Sequence, residues 1–230
     1  MSSWFNELKS LRVNVLQPTF HELMRSMPDS LFLGTSTFAL LTQNFPLGIL
    51  VLAMAEFSIL HRFFGAMLGL VQKNEKVAQI DACIPGIPSP YQISVIGKLL
   101  ISTSFPSGPV FFISAVILYT MLSIFNFQGE LAELGKKESQ WKTRLPLSIA
   151  FNSLLLLLFI TWRYANSCDG IFTILGSTLF GFIAGGMVYL IHVYLFGRDS
   201  INFLGIPLLA DRAANGRPLY VCAKSAVNTN

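Results

Sequence analysis

The chain has 230 residues, 53% of them hydrophobic and only 12% charged, with 20 phenylalanines and a formal net charge of +4. About a quarter of an average soluble domain is charged, so this composition excludes an ordinary soluble enzyme and points to an all-α, polytopic membrane protein. The basic excess is small and no run of Lys and Arg is dense enough for nucleic acid, so the charges read as loop charges that set topology.

Residues 1–28 carry Glu7, Lys9, Arg12, Glu22 and Arg25 and no apolar h-region, so no cleavable signal peptide is expected. Ser2 excludes the glycine-dependent myristoylation signal. The spacing of Phe5, Leu8, Leu11, Val15 and Leu16 has partial helical periodicity. It reads either as an amphipathic helix on the membrane or on a partner, stopped near Pro18, or as a loosely ordered tail.

Residues 31–71 are almost continuously apolar. A straight helix of that length would measure about 61 Å, roughly twice the hydrocarbon thickness, so it must break. The break is written at Asn44-Phe45-Pro46, with Gly48 just beyond, because proline removes a donor and biases the residue before it away from helix. Leu31–Thr42 is too short to span alone; Pro46–Val71 is long enough. One loop later, Ile93–Ser104 is a short apolar segment that contains Lys98. Phe105-Pro106-Ser107-Gly108-Pro109 follows, and then the clean span Val110–Asn126. The two breaks, around Pro46 and Gly48 and around Pro106 and Gly108, are alike and read either as an internal repeat or as chance in a chain rich in Phe, Pro and Gly.

Residues 127–144 form a charged loop, and Pro146 sits where a first helical turn tolerates it. Leu145–Tyr164 spans, with Trp162 and Tyr164 at an interface level. After a short loop, Gly170–Phe196 runs without an acidic or basic residue. Ser177, Gly181 and Gly185 recur every fourth residue on one face, the small-xxx-small pattern that lets membrane helices approach closely. Phe172, Leu175, Leu179 and Phe182 are left for lipid. The organisation expected is an interfacial segment over 1–28, a helical membrane domain over 29–196, and a tail over 197–230. The membrane domain has spans near 46–71, 107–126, 145–164 and 171–196. The tail forms a small knob, with a short strand from Pro218. If 31–71 crosses once, most Lys and Arg gather with the N-terminus, loop 127–144 and the tail, which places both termini in the cytoplasm. A full hairpin over 31–71 would make the sides nearly even.

Ionisable residues inside spans are candidates for function. Glu56, His61 and Arg62 lie in the first span and His192 in the last. A straight helix cannot aim Glu56, His61 and Arg62 at one substrate, and Arg62 can snorkel. Glu56 reads as a proton or ion site, or as a neutral carboxyl bonded to a neighbouring helix. No protease, P-loop, hydrolase or zinc motif is present, so no enzyme activity, metal or cofactor is expected. Cys83 and Cys168 fall in loops on one side if both intervening spans cross, which permits a disulfide in an oxidising compartment.

The tail, Ile201-Asn202-Phe203-Leu204-Gly205-Ile206-Pro207 followed by Gly216-Arg217-Pro218-Leu219-Tyr220-Val221-Cys222, resembles the end of small multi-span virion membrane proteins of nucleocytoplasmic large DNA viruses. The Asn-Phe-Pro break fits the same family. The resemblance implies a membrane-embedded minor capsid protein, tying an internal bilayer to a capsid shell with no catalytic residues. The function expected is therefore structural: anchoring in the lipid bilayer and docking capsid, scaffold or other membrane proteins, or further copies of the chain. Arg198, Arg212, Arg217 and Tyr220 of the tail would carry the docking. A small channel or transporter using Glu56 and the two breaks is the competing class, and an assembly subunit of a cellular membrane enzyme a third.

Overall fold

The four long apolar runs each form one helix. The computed structural model describes residues 17–69, 83–86, 94–100, 105–137, 143–203 and 205, together with the backbone of 210–212 and 218–219. The helices among them are α1 (Gln17–Thr42), α2 (Phe45–Gly69), α3 (Gly97–Leu100), α4 (Gly108–Asn126), α5 (Gln128–Lys137), α6 (Arg144–Ala165) and α7 (Ile171–Phe196). A 3₁₀ turn, Arg198–Ile201, follows α7. In the tail, β1 (Ala210–Arg212) pairs antiparallel with β2 (Pro218–Leu219). Among the described residues the protein is helical apart from this short ladder, and α2, α4, α6 and α7 are long and apolar enough to cross a membrane.

α4 is the centre of the bundle. It opens at Ser107, whose extended backbone precedes Pro109 in the first turn, where the missing N–H costs nothing. From Gly108 to Ile117 every residue is buried, as expected of a helix apolar on all sides. Its most extensive interface is with α7, and it also packs on α6 and α2. α4 and α7 run in the same direction and in step. Ser177 meets Ser107, Gly181 meets Phe111, Gly185 meets Ala115 and His192 meets Tyr119. The short loop before α7 makes α6 and α7 antiparallel, yet they barely touch, because α4 takes the main face of each.

The N-terminal half departs from the expectation. Pro18 does not stop a helix: it lies in the first turn of α1, which then runs through Pro28 to Thr42. The expected boundary at 28/29 therefore falls inside one helix. Gln43, in the left-handed region at φ 49°, ends α1. Asn44 then starts α2, its side-chain oxygen accepting the Leu47 N–H at 3.2 Å. Asp29 lies about 20 Å along α1 from this corner and Arg62 about 25 Å along α2. Both reach the same short element, Asp29 at Val95–Gly97 and Arg62 at Leu99. Two helices that leave one corner and meet again so far along must lie side by side, so α1 returns along α2.

This hairpin puts the start of α1, at Gln17, on the opposite side of the bundle from the end of α7. The start of α1 lies with α3 and with Trp162, whose ring is 5.1 Å from that of His21. α5 and Arg198 are at the opposite end. Arg25 therefore leaves the side to which the Lys and Arg excess had assigned it, and the charge argument for cytoplasmic termini loses its basis. The stretch expected to be an amphipathic segment or tail lies outside the described residues up to position 16, as do Arg217, Tyr220 and Cys222 of the tail.

Loop 127–144 is also not wholly a loop. Its first part is α5, with Phe127, Leu131 and Leu134 buried at helical spacing beneath an otherwise charged surface. The two breaks are not equivalent either. A Cβ on Gly48 would meet open space, whereas one on Gly108 would lie 2.1 Å from the Leu100 carbonyl oxygen. Pro46 stands in the first turn of α2, while Pro106 follows a cis peptide bond.

Candidate functional site: polar contacts between the spans

The glycine face of α7 is used against α4. A Cβ on Gly181 would lie 2.5 Å from the Phe111 carbonyl oxygen, and one on Gly185 2.5 Å from that of Ala115. Ser177 is fully buried, and its hydroxyl oxygen accepts the Ser107 N–H at 2.7 Å. The three small residues therefore pack within the chain. Phe172, Leu175 and Leu179 of α7 are exposed on the outer side.

Glu56 and His192, on the first and last long spans, come together. Glu56 Oε2 is 3.1 Å from His192 Nε2, and the Tyr119 hydroxyl is 3.0 Å from His192 Nδ1. At that distance the two groups approach as an ion pair would, but the Nε2–H is not aligned on the carboxylate as a hydrogen bond. His192 and Tyr119 are 1% exposed, whereas the Glu56 side chain is 36% exposed. Glu56 is thus the exposed member of the pair and the imidazole the buried one.

His61 is on a different face of α2, as the helical angle requires. It is buried, and its Nε2–H donates to the Pro106 carbonyl at 3.0 Å, tying α2 to the backbone just before α4. Arg62 is exposed and its Nε–H donates to the Leu99 carbonyl at 3.3 Å. These four ionisable residues divide into one pair and two separate ties.

Two further polar clusters close the ends of the bundle. At one end, Asp29 is fully buried and its Oδ1 accepts the N–H groups of Val95, Ile96 and Gly97 at 2.8–3.0 Å. Ser94 Oγ–H donates to Oδ2 at 3.2 Å. Gly97 is required there, because its Cβ would lie 2.6 Å from Oδ2. Nearby, the Cys83–Cys168 disulfide is formed, with Cα atoms 5.5 Å apart. Arg163 pairs with Asp169 and donates to the Cys83 carbonyl at 3.3 Å, while Ser107 Oγ–H donates to Asp169 at 3.0 Å. At the other end, Arg198 grips Glu130 through two contacts of 2.7 and 2.9 Å. It also lies 4.7 Å from the centre of the Phe127 ring and donates to the Asn126 carbonyl.

Arg198 is therefore paired within the chain while its side chain stays 44% exposed. Gly197, at φ 80°, turns the chain out of α7 so that the guanidinium folds back over the end of α4. Arg212 lies in β1. Asp29 and Asp169 were not among the expected site residues. Nothing local marks Asp29, whose partners lie more than 60 residues away; Asp169 was visible as a charge beside Cys168 and six residues after Arg163. Among the described residues, no group of three or more His, Cys, Asp or Glu side chains is placed to hold a metal. Comparison with protein-family models, with curated proteins and with solved structures found no match.

Proposed function

We propose that the chain is a structural membrane protein that anchors itself in a bilayer as a close-packed bundle and offers its polar ends to protein partners. The observation that carries this reading is the fate of the polar side chains between the long helices. Ser177, His61 and Tyr119 bond across helices, and the glycine face of α7 is filled by α4. Small residues at the interface and polar residues as ties are the devices that hold helices together in lipid. A virion membrane beneath a capsid shell is the setting that the tail resemblance supports, with shell or scaffold proteins as partners.

The test is cross-linking mass spectrometry on the chain in its native membrane, with a companion truncation after Phe203. That cut removes the distal tail and keeps Arg198 on Glu130 and the buried Ile201. Cross-links from the distal tail and α5 to a shell or scaffold protein, with the tail links lost on truncation, support the reading. Cross-links confined to copies of the chain overturn it. Transport is the second reading, favoured by the Glu56–His192 contact. Flux across vesicles that is lost in a folded Glu56→Gln variant would favour it over the anchor.

A further inference from the structure

We propose that Glu56, His192 and Tyr119 form an intramembrane proton-binding site that links the protonation of α2 and α7 to the hydrogen bond between α7 and α4. The proposal does not depend on the anchor reading; it concerns what the three side chains bind.

The geometry sets the possible hydrogen positions. Tyr119 and His192 Nδ1 are 3.0 Å apart, and both side chains are buried. When Tyr119 O–H donates, Nδ1 is an acceptor, and a neutral imidazole then carries its hydrogen on Nε2. The nitrogen that carries it lies 3.1 Å from Glu56 Oε2, and a turn of the carboxyl is what aligns the two as donor and carboxylate acceptor. The cluster then bears one net negative charge at a depth where charge is costly. Adding one proton neutralises it in either of two ways. An imidazolium against a carboxylate has hydrogens on both ring nitrogens. A protonated Glu56 that donates to Nε2 drives the imidazole hydrogen to Nδ1. Both place a hydrogen on Nδ1, so Tyr119 must change from donor to acceptor. Proton uptake at the lipid-facing carboxyl is thereby felt in the core of the bundle, where Tyr119 is wedged edge-on against Phe57 and Tyr189.

Access comes from Glu56, which is the exposed member of the three. His192 lies about 6 Å from the end of α7 at 1.5 Å per residue, within reach of a water penetrating from that end. Among the described residues, Tyr189 on α7 is a further titratable group beside the cluster, edge-on to Tyr119. Beyond the end of α7, Arg198 is held by Glu130 and leaves the carboxyl of Glu56 to His192. His61 on α2 is turned away to Pro106 and provides an internal control.

The experiment is a pH titration of the full chain in lipid nanodiscs with ¹⁵N-histidine, read by NMR, with His192 assigned by its loss in His192→Asn. The proposal expects Glu56→Gln to move the His192 midpoint by about one pH unit or more, a tenfold change in proton affinity. It expects Tyr119→Phe to move it as well, and His61 to stay unmoved in both. A His192 midpoint that is the same in wild type and Glu56→Gln overturns it. So does a midpoint set by sodium or potassium concentration at fixed pH, which would make the ligand a metal cation. Should Glu56→Gln not fold, Glu56→Asp withdraws the acid by one methylene, and an unmoved His192 midpoint there overturns the proposal equally.

Discussion

α4 and α6 are close in length and alike in apolar character, yet 78% of the most apolar window of α4 is buried and only 11% of that of α6. In water such a difference would show in the pattern of polar residues, since an exposed face would be charged. In lipid it does not, because hydrocarbon is as apolar as leucine and offers no drive to bury one rather than the other. What separates the two helices is small side chains and hydrogen-bonding groups. α4 has Gly108, Ser114 and Ala115 at its contacts and meets Gly181 and Gly185 of α7. α6 instead turns Leu147, Phe151, Leu154 and Leu157 outward.

The sharpest way to break this comparison is to fill the α4–α7 contact. Gly181→Leu places a side chain against the Phe111 backbone, which cannot give way as a flexible side chain could. The expected loss is about 3 kcal/mol or more, seen as a bundle that fails to run as a single species on size exclusion in mild detergent. Asp29→Ala comes next. It leaves three N–H groups, those of Ile96 and Gly97 buried, without their acceptor, and the expected loss is about 2–3 kcal/mol, measured by unfolding in a denaturing detergent titration. Cys83→Ser opens a loop whose ends are 85 residues apart in sequence. The same titration should show a loss of about 2–4 kcal/mol that disappears when both proteins are measured with reductant present. Leu154→Ala on the outer face of α6 is the smallest, under about 0.5 kcal/mol, because the residue touches lipid in the folded state and in the inserted unfolded state alike. A large effect there, in the absence of any partner, would mean that α6 is covered by another copy of the chain.

The same contrast marks how far the fold was legible. The spans could be read from the lengths of the apolar runs, since each must cover the hydrocarbon, and Ser177, Gly181 and Gly185 named the close face before any partner was known. The pairing of Cys83 with Cys168 was permitted by which loops share a side, and the structure forms it. The route of α1 was hidden because the charge count favoured a single crossing over a hairpin, and the meeting of Asp29 and Arg62 near α3 reveals the return. α5 was hidden by its own charges, which outweigh the sparse stripe of Phe127, Leu131 and Leu134. Arg198 looked available because its partner, Glu130, lies in another segment. The meeting of Glu56 with His192 was illegible for the same reason: each residue's helix is plain, but their mutual rotation is set by the glycine contacts of α7 on α4.

The parallel run of α4 and α7 also has a consequence for how the chain is made. Ser107 and Ser177 are 70 residues apart in sequence. At about 5–20 residues per second of synthesis, α4 enters the membrane roughly 4–14 s before the helix that covers it. During that interval its small-residue face, with Ser114 and the Tyr119 hydroxyl, has only lipid, the insertion machinery or α2 beside it. α6 must cross in the meantime to let α7 descend in the same sense as α4. A ribosome stalled between α6 and α7 should therefore yield an intermediate lacking only α7 that insertase components retain, released when α7 emerges.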